Sequence, residues 1–154
     1  MHGASVGEIK AAGPLVDKLV SGFPEATLVV TTVTEQGLEM ARQSMGGQAT
    51  CLLAPLDLPG AAYRAIRAIK PDVYLCLETE LWPNTLAGLR QSGATCFLLN
   101  ARVSEKSFRR YRRLRGFTRQ VLGEFTGIAA ISNAAVQECV SKTLRQPRCS
   151  SSHA

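Results

Sequence analysis

Histidine is nearly missing from this chain: His2 and His153 stand near opposite ends. The five cysteines, at 51, 76, 96, 139 and 149, show no Cys-x-x-Cys spacing. Structural and catalytic metal sites draw on clusters of these two residue types, so the ligand set is too thin and no metal is expected. No apolar run approaches the ~20 residues that a helix needs to cross a bilayer. The opening "MHGASVGE" lacks both the basic stretch and the apolar core of a secretory leader. The domain is therefore expected to be cytosolic, which is compatible with a membrane anchor upstream of Met1. Gly3 and Gly7 form G-x-x-x-G rather than G-x-G-x-x-G, so a dinucleotide cofactor has little support and no cofactor is expected. Cys51, Cys76 and Cys96 lie in or beside apolar runs and read as buried, reduced thiols.

The chain has 154 residues, 45% of them hydrophobic and 19% charged, enough for one domain with a core. Its net charge of +6 is a local feature. Residues 102–119, "RVSEKSFRRYRRLRGFTR", carry eight basic residues and one acid, while the rest of the chain is close to neutral. Arg109, Arg112 and Arg113 share one helical face, with Arg102, Lys106 and Arg110 near it. Such a stripe is either a solvated helical face or a platform for anions, phosphorylated substrate or an acidic membrane surface. Sparse aromatics (Phe108, Tyr111, Phe117) and the lack of a recognition motif argue against nucleic acid.

Short apolar runs at 26–32, 51–56, 72–77, 95–100 and 127–132 predict strands, and helical patterns alternate with them near 7–21, 35–45, 60–69, 83–91, 106–123 and 133–143. Most strand runs are apolar throughout, as in parallel sheets covered on both faces. The alternation predicts an α/β fold, a Rossmann-like doubly wound parallel sheet. Gly22, Gly46 and Gly93 mark helix ends, and Pro83 fits a first helical turn. Only "MH" stands where a strand before the first helix is expected. The segment 143–154, "TLRQPRCSSSHA", has no periodicity and reads as a disordered tail outside the fold. The domain is thus expected to span 1–142.

Two clusters could carry chemistry. Ser5-x-x-Glu8 opens the first helix and has the spacing of a capping box. The same loop sits where open α/β folds bind ligands, at the carboxyl end of a strand, and exposed N–H groups at a helix start suit anions. Glu8 is therefore either a cap or a catalytic carboxylate. Glu78 and Glu80 in "YLCLETELWPN" lie two residues apart, so an extended backbone points both the same way. Close carboxylates repel and raise at least one pKa toward the range of a general acid or base. The alternative makes one a ligand for backbone N–H groups and the other a solvated acid. Trp82 reads as a packing anchor or as a substrate platform.

Taken in series, "HGASVGE", "LVVTTVTEQG", "APLDLPG", "KPDVYLCLETELWPN" and "LLNARVSEKSFRRY" resemble the N-terminal half of the transferases of 3-deoxy-D-manno-octulosonic acid (Kdo) in lipopolysaccharide synthesis. The likeness covers about residues 2–140. It implies an inverting glycosyltransferase of the two-domain GT-B type that moves Kdo from CMP-Kdo to a lipid A precursor on the cytoplasmic face of the inner membrane. This chain would be the acceptor-binding portion, inactive alone, with the C-terminal nucleotide-sugar domain absent. The resemblance assigns the catalytic base to Glu8 and a second functional acid to Glu80 or Glu78. It places acceptor or phosphate contacts at Ser5, Gly7, Thr32, Thr34, Arg102, Ser104, Lys106 and Arg109. A non-catalytic module docking on anionic lipid or a partner is the competing expectation.

Overall fold

In a computed structural model of the chain, residues 1–77, 82–99, 116 and 121–129 are described. The order of elements is α1 (Val6–Gly22), β1 (Val29–Thr32), α2 (Glu35–Met45), β2 (Thr50–Leu53), α3 (Pro59–Ile69), β3 (Val73–Leu77), α4 (Pro83–Ser92), β4 (Thr95–Leu99) and β5 (Gly127–Ala129). All strand pairs are parallel: β1 with β2, β3 with β4 and β4 with β5. His2 bridges the two groups, pairing with Thr31 of β1 and Cys76 of β3. The sheet therefore runs β2–β1–(residues 1–3)–β3–β4–β5. The molecule is an α/β protein with a parallel sheet, as the alternation of patterns predicts.

Both faces of this sheet are covered. Ile9, Ala12 and Val16 of α1 pack with Ala41 and Met45 of α2 over Val30, Cys51 and Leu77. Ile66 of α3 and Leu86 and Leu89 of α4 pack over Cys76, Cys96 and Leu98, joined by Val121, Leu122 and Phe125. Cys76 and Leu77 are neighbours on β3 yet feed opposite cores, because successive strand side chains alternate faces. Double-sided burial accounts for the apolar runs of β3 and β4, whereas on β2 only Cys51 is buried and Leu52 and Leu53 are exposed. Helices α3 and α4 approach closely at Gly88, where a Cβ would stand 2.7 Å from Ile66 Cδ1.

Helix ends follow local chemistry. Gly93 closes α4 in the left-handed region, at φ 82°, where glycine carries no steric cost. Gly46 ends α2 at φ −63°, so it stops the helix without using that freedom. Lys70 takes the left-handed position after α3, at φ 49°. Pro83 opens α4 in its first turn. Pro14 lies inside α1, where it removes one helical donor. The fully buried stripe of Ile9, Ala12 and Val16 holds that helix together across it.

Strand β1 starts at Val29 rather than 26, and β2 ends at Leu53 rather than 56. Pro55 has no N–H with which to continue the second ladder. Cys51, Cys76 and Cys96 are buried, as expected. Burial pushes the Cys96 thiol up to about 11, with a smaller push from the Glu124 carboxylate. The expected helix at 133–143, nearly all of the one at 106–123, and the strand ends at 100 and 130–132 lie outside the described residues. No helix among the described residues is long and apolar enough to cross a membrane.

Candidate functional site

Parallel strands place every strand-to-helix loop at the same end of the sheet. Residues 3–5 lead into α1, Val33 and Thr34 into α2, and 54–58 into α3. The start of α1 is a variant of the capping box. The Ser5 hydroxyl accepts from the Glu8 N–H at 3.4 Å. The Glu8 carboxylate reaches back and accepts, through Oε2, from the Ala4 N–H, one residue further than the usual reciprocal bond. Glu8 is only 8% exposed. Gly3 makes room for it, since a Cβ there would stand 3.2 Å from the Glu8 Cβ. Gly7 borders the same turn, and its nearest neighbour is the Ser5 hydroxyl, 3.8 Å from where a Cβ would be.

The second loop is tied to the first. Thr32, buried at the end of β1, donates from Oγ1 to the Ala4 carbonyl at 3.4 Å. Thr34 caps α2, accepting from the Gly37 N–H at 3.0 Å. A Cβ at Gly37 would collide with Thr32 Oγ1 and stand 2.9 Å from Thr34 Oγ1. Ser5, Gly7, Glu8, Thr32 and Thr34 are thus brought to one rim on adjacent loops.

Sequence reasoning missed the third member of this rim. Helix α4 begins at Trp82, which offers no side-chain cap, yet a helix start leaves backbone donors that need acceptors. Asp57, from the loop before α3, supplies them. Its Oδ2 accepts from the Asn84 N–H at 3.1 Å and the Asn84 Nδ2 at 3.3 Å. Its Oδ1 accepts from the Thr85 N–H and hydroxyl, both at 2.8 Å, and its carbonyl accepts from Asn84 Nδ2 at 2.6 Å. The signal for this was a helix opening on Trp-Pro with no acceptor of its own. Asp57 thereby fixes the residues that follow Glu78 and Glu80. Those two acids lie outside the described residues, as do Arg102, Ser104, Lys106 and Arg109.

His2 sits under the rim, 3% exposed. Its Nδ1 lies 2.9 Å from the Thr31 hydroxyl. Its ring stacks on Tyr74 and meets Trp82 edge-on at 5.7 Å between centroids. Burial, reinforced by the nearby amino terminus, lowers its pKa to about 4. Among the described residues, the buried His2 Nε2 and Trp82 Nε1 have no hydrogen-bond partner. Trp82 is a packing contact for His2 in this arrangement. Among the described residues no group of three or more His, Cys, Asp or Glu is placed to hold a metal ion. The rim therefore presents one enclosed carboxylate, hydroxyls of small residues and backbone donors, a set suited to binding and orienting hydroxyl-rich or anionic groups.

The sequence matches the family profile described as 3-deoxy-D-manno-octulosonic-acid transferase (kdotransferase) over residues 1–151. It is 35% identical over 133 residues to the 3-deoxy-D-manno-octulosonic acid transferase of Haemophilus influenzae, covering 86% of this chain and 31% of that protein. The enzyme of the same name from Chlamydia trachomatis is 38% identical over 113 residues, covering 71% of this chain and 26% of its own length. The one from Rickettsia bellii is 32% identical over 140 residues, covering 90% and 33%. The chain spans about a third or less of the length of these relatives. By the reach of the profile and the agreement of these relatives, the chain belongs to the 3-deoxy-D-manno-octulosonic-acid transferase family.

Proposed function

We propose that this chain is the acceptor-binding portion of an inverting, Rossmann-like GT-B glycosyltransferase that moves Kdo from CMP-Kdo to a lipid A precursor. The observation that carries the reading is the position of Glu8: a carboxylate fixed by the first turn of α1 at the carboxyl end of the sheet. A sugar hydroxyl is a weak nucleophile. Glu8 takes its proton as the oxygen bonds to the anomeric carbon of Kdo from the face opposite CMP. The bond from that carbon to the phosphate oxygen breaks, and CMP leaves as an anion with inverted configuration at the sugar. Backbone donors and basic groups stabilise the leaving phosphate. The donor is held chiefly by a second, C-terminal domain. Gly3 and Gly7, with little bulk beside Glu8, favour close approach of the acceptor, and Ser5, Thr32 and Thr34 supply hydroxyls around it.

The acceptor carries both phosphate and acyl chains, and two features suit it. The +7 stretch at 102–119 includes Arg102, Lys106 and Arg109, which with Ser104 contact its phosphates. Leu53, Leu56 and Leu58, on β2 and the loop after it, are exposed, an apolar strip suited to acyl chains or a bilayer surface. Glu80 or Glu78 is the second functional acid. The enzyme works at the anionic cytoplasmic face of the inner membrane.

The test is transfer of Kdo by a full-length family enzyme whose matching region is replaced by residues 1–151 of this chain. Glu8→Gln should lower kcat by about 10²–10⁴-fold, the usual worth of general base catalysis, with the protein still folded. A second reading is favoured by the burial of Glu8 and its bond to Ala4: a module in which Glu8 is only a cap and the chain docks on anionic lipid. Undiminished transfer by the Glu8→Gln enzyme would select it.

A further inference from the structure

Of the three hydroxyls set around the acceptor, those of Ser5 and Thr34 belong to exposed residues, whereas Thr32 is 1% exposed. It stands at the end of β1, and both its side chain and its main chain are tied to neighbouring loops. The hydroxyl donates to the Ala4 carbonyl at 3.4 Å. The Thr32 carbonyl accepts from the Ala54 N–H at 2.7 Å. Behind the hydroxyl oxygen lies Gly37, in the first turn of α2, where a Cβ would collide with it. Threonine is stiff about its first side-chain torsion, so the oxygen has little freedom to leave this seat. At 3.4 Å the bond to Ala4 is long for a hydroxyl donor. The wedge between α2 and Ala4, more than the strength of that bond, keeps the two groups together.

Ala4 connects this wedge to Glu8. It is buried, and both of its backbone polar groups are engaged, the carbonyl by Thr32 and the N–H by Glu8 Oε2. The two groups flank one Cα. A turn of the Ala4 backbone that releases the carbonyl therefore carries the N–H away from the carboxylate as well. Gly3 borders the same side chain, since a Cβ there would stand 3.2 Å from the Glu8 Cβ. A general base must lie within hydrogen-bond reach of the proton it takes, and a misplacement of ~1 Å can cost ~10²-fold in rate. The rate thus depends on residues that hold Ala4 in place.

We infer that Thr32, seated by Gly37, is a positioning residue for Glu8: it fixes Ala4, and Ala4 fixes the carboxylate. The inference rests on the reading of Glu8 as the base of Kdo transfer. Thr32 then acts on the acceptor only through Glu8, because its one hydrogen is committed to the Ala4 carbonyl. Gly37 belongs to the same device, as the one residue type that leaves the hydroxyl its seat.

Two measurements test it. In the full chain, amide hydrogen exchange by NMR reads the Ala4 N–H directly. Thr32→Val keeps the shape of the side chain without a donor, and should speed exchange at Ala4 by about tenfold or more while Ala54 is unchanged. Thr32→Ser keeps the hydroxyl and should stay within about threefold of the parent. In the full-length enzyme carrying residues 1–151, Thr32→Val should lower kcat by about tenfold or more, with KM for both substrates within about twofold. Thr32→Ser should recover most of that rate. Combined with Glu8→Gln, Thr32→Val should lower the residual rate no further, because it works through Glu8. Gly37→Ala pushes the hydroxyl off its seat and should give the same pattern, so the test does not depend on one variant folding.

Unchanged exchange at Ala4 in both Thr32→Val and Gly37→Ala would overturn the inference. So would a raised KM for the lipid with kcat kept, since Thr32 would then touch the acceptor itself. A loss in kcat that adds in full to that of Glu8→Gln would also overturn it. Transfer undiminished by Glu8→Gln alone would instead sink the reading of Glu8 as the base, whatever the exchange at Ala4.

Discussion

The Glu8 carboxylate accepts a hydrogen bond from the Ala4 N–H, four residues before it in the same chain. The side chain proposed as the catalytic base thus also closes the first turn of α1. Structure and the proposed chemistry share one group, and substitutions can separate them.

Glu8→Ala should destabilise the chain by ~1–3 kcal/mol, because it leaves the buried Ala4 N–H without its acceptor. Glu8→Gln keeps a carbonyl oxygen at the same reach and should lose less than half as much. Urea denaturation of the two variants checks this. Equal losses would mean that the charge at the helix start, rather than the hydrogen bond, does the stabilising.

Asp57→Ala removes both side-chain acceptors of the Asn84 and Thr85 N–H groups, so α4 loses its cap from outside. We expect a loss of about 1–3 kcal/mol and faster hydrogen exchange at the start of α4. Asp57→Asn retains one acceptor oxygen and should fall between. No change in exchange at Asn84 and Thr85 would show that the loop does not hold the helix.

Helix propensity alone would make Gly37→Ala stabilising by up to ~1 kcal/mol. Here the added methyl meets the hydroxyls of Thr32 and Thr34, so overpacking should reverse the sign to a loss of about 1–3 kcal/mol. Gly37→Ala with Thr32→Val still meets the Thr34 hydroxyl and should remain destabilised. Thermal denaturation of both decides it.

Burial lowers the pKa of the Met1 amino group from its ordinary 8.0 to about 6, and that of His2 from 6.5 to about 4. Both groups bind fewer protons folded than unfolded in those windows. Their stabilising effect is complete above the unfolded values and is lost as pH falls, from 8 to 6 for Met1 and from 6.5 to 4 for His2. The slope is ~1.4 kcal/mol per pH unit for each fully linked proton. Urea midpoints measured from pH 8.5 to 4.5 should decline steadily. Acetylation of the amino terminus should flatten the upper part, and His2→Gln the lower. A flat profile above pH 5 would refute both assignments.

The helices with strong periodicity were legible: α2 lies at 35–45, as its pattern predicts, and α1, α3 and α4 end within a residue of their expected bounds. Pro14 is the exception that sequence rules handle poorly. A lost donor weakens a helix locally, but the buried stripe of Ile9, Ala12 and Val16 outweighs it through contacts with other elements. The capping box at Ser5 and Glu8 was legible as spacing. Its shift by one residue, to Ala4, was not, because that depends on how the loop is drawn toward Thr32.

Asp57 shows the other side. Nothing local marks it as the cap of a helix that begins 26 residues later, since its partners become neighbours only when α3 and α4 pack together.

The periodicities of 3.6 and 2 are properties of the chain itself, and they determined the alternating α/β pattern and the double burial of its central strands. The ordered run of motifs likewise determined the family. What the tertiary structure decided was which groups share space: His2 as the bridge between two halves of a sheet, Glu8 folded against its own backbone, and Asp57 at the start of α4. The reason is physical. Periodicity reports which face of an element is apolar, whereas register and loop packing come from contacts between segments far apart along the chain, and no local pattern encodes those.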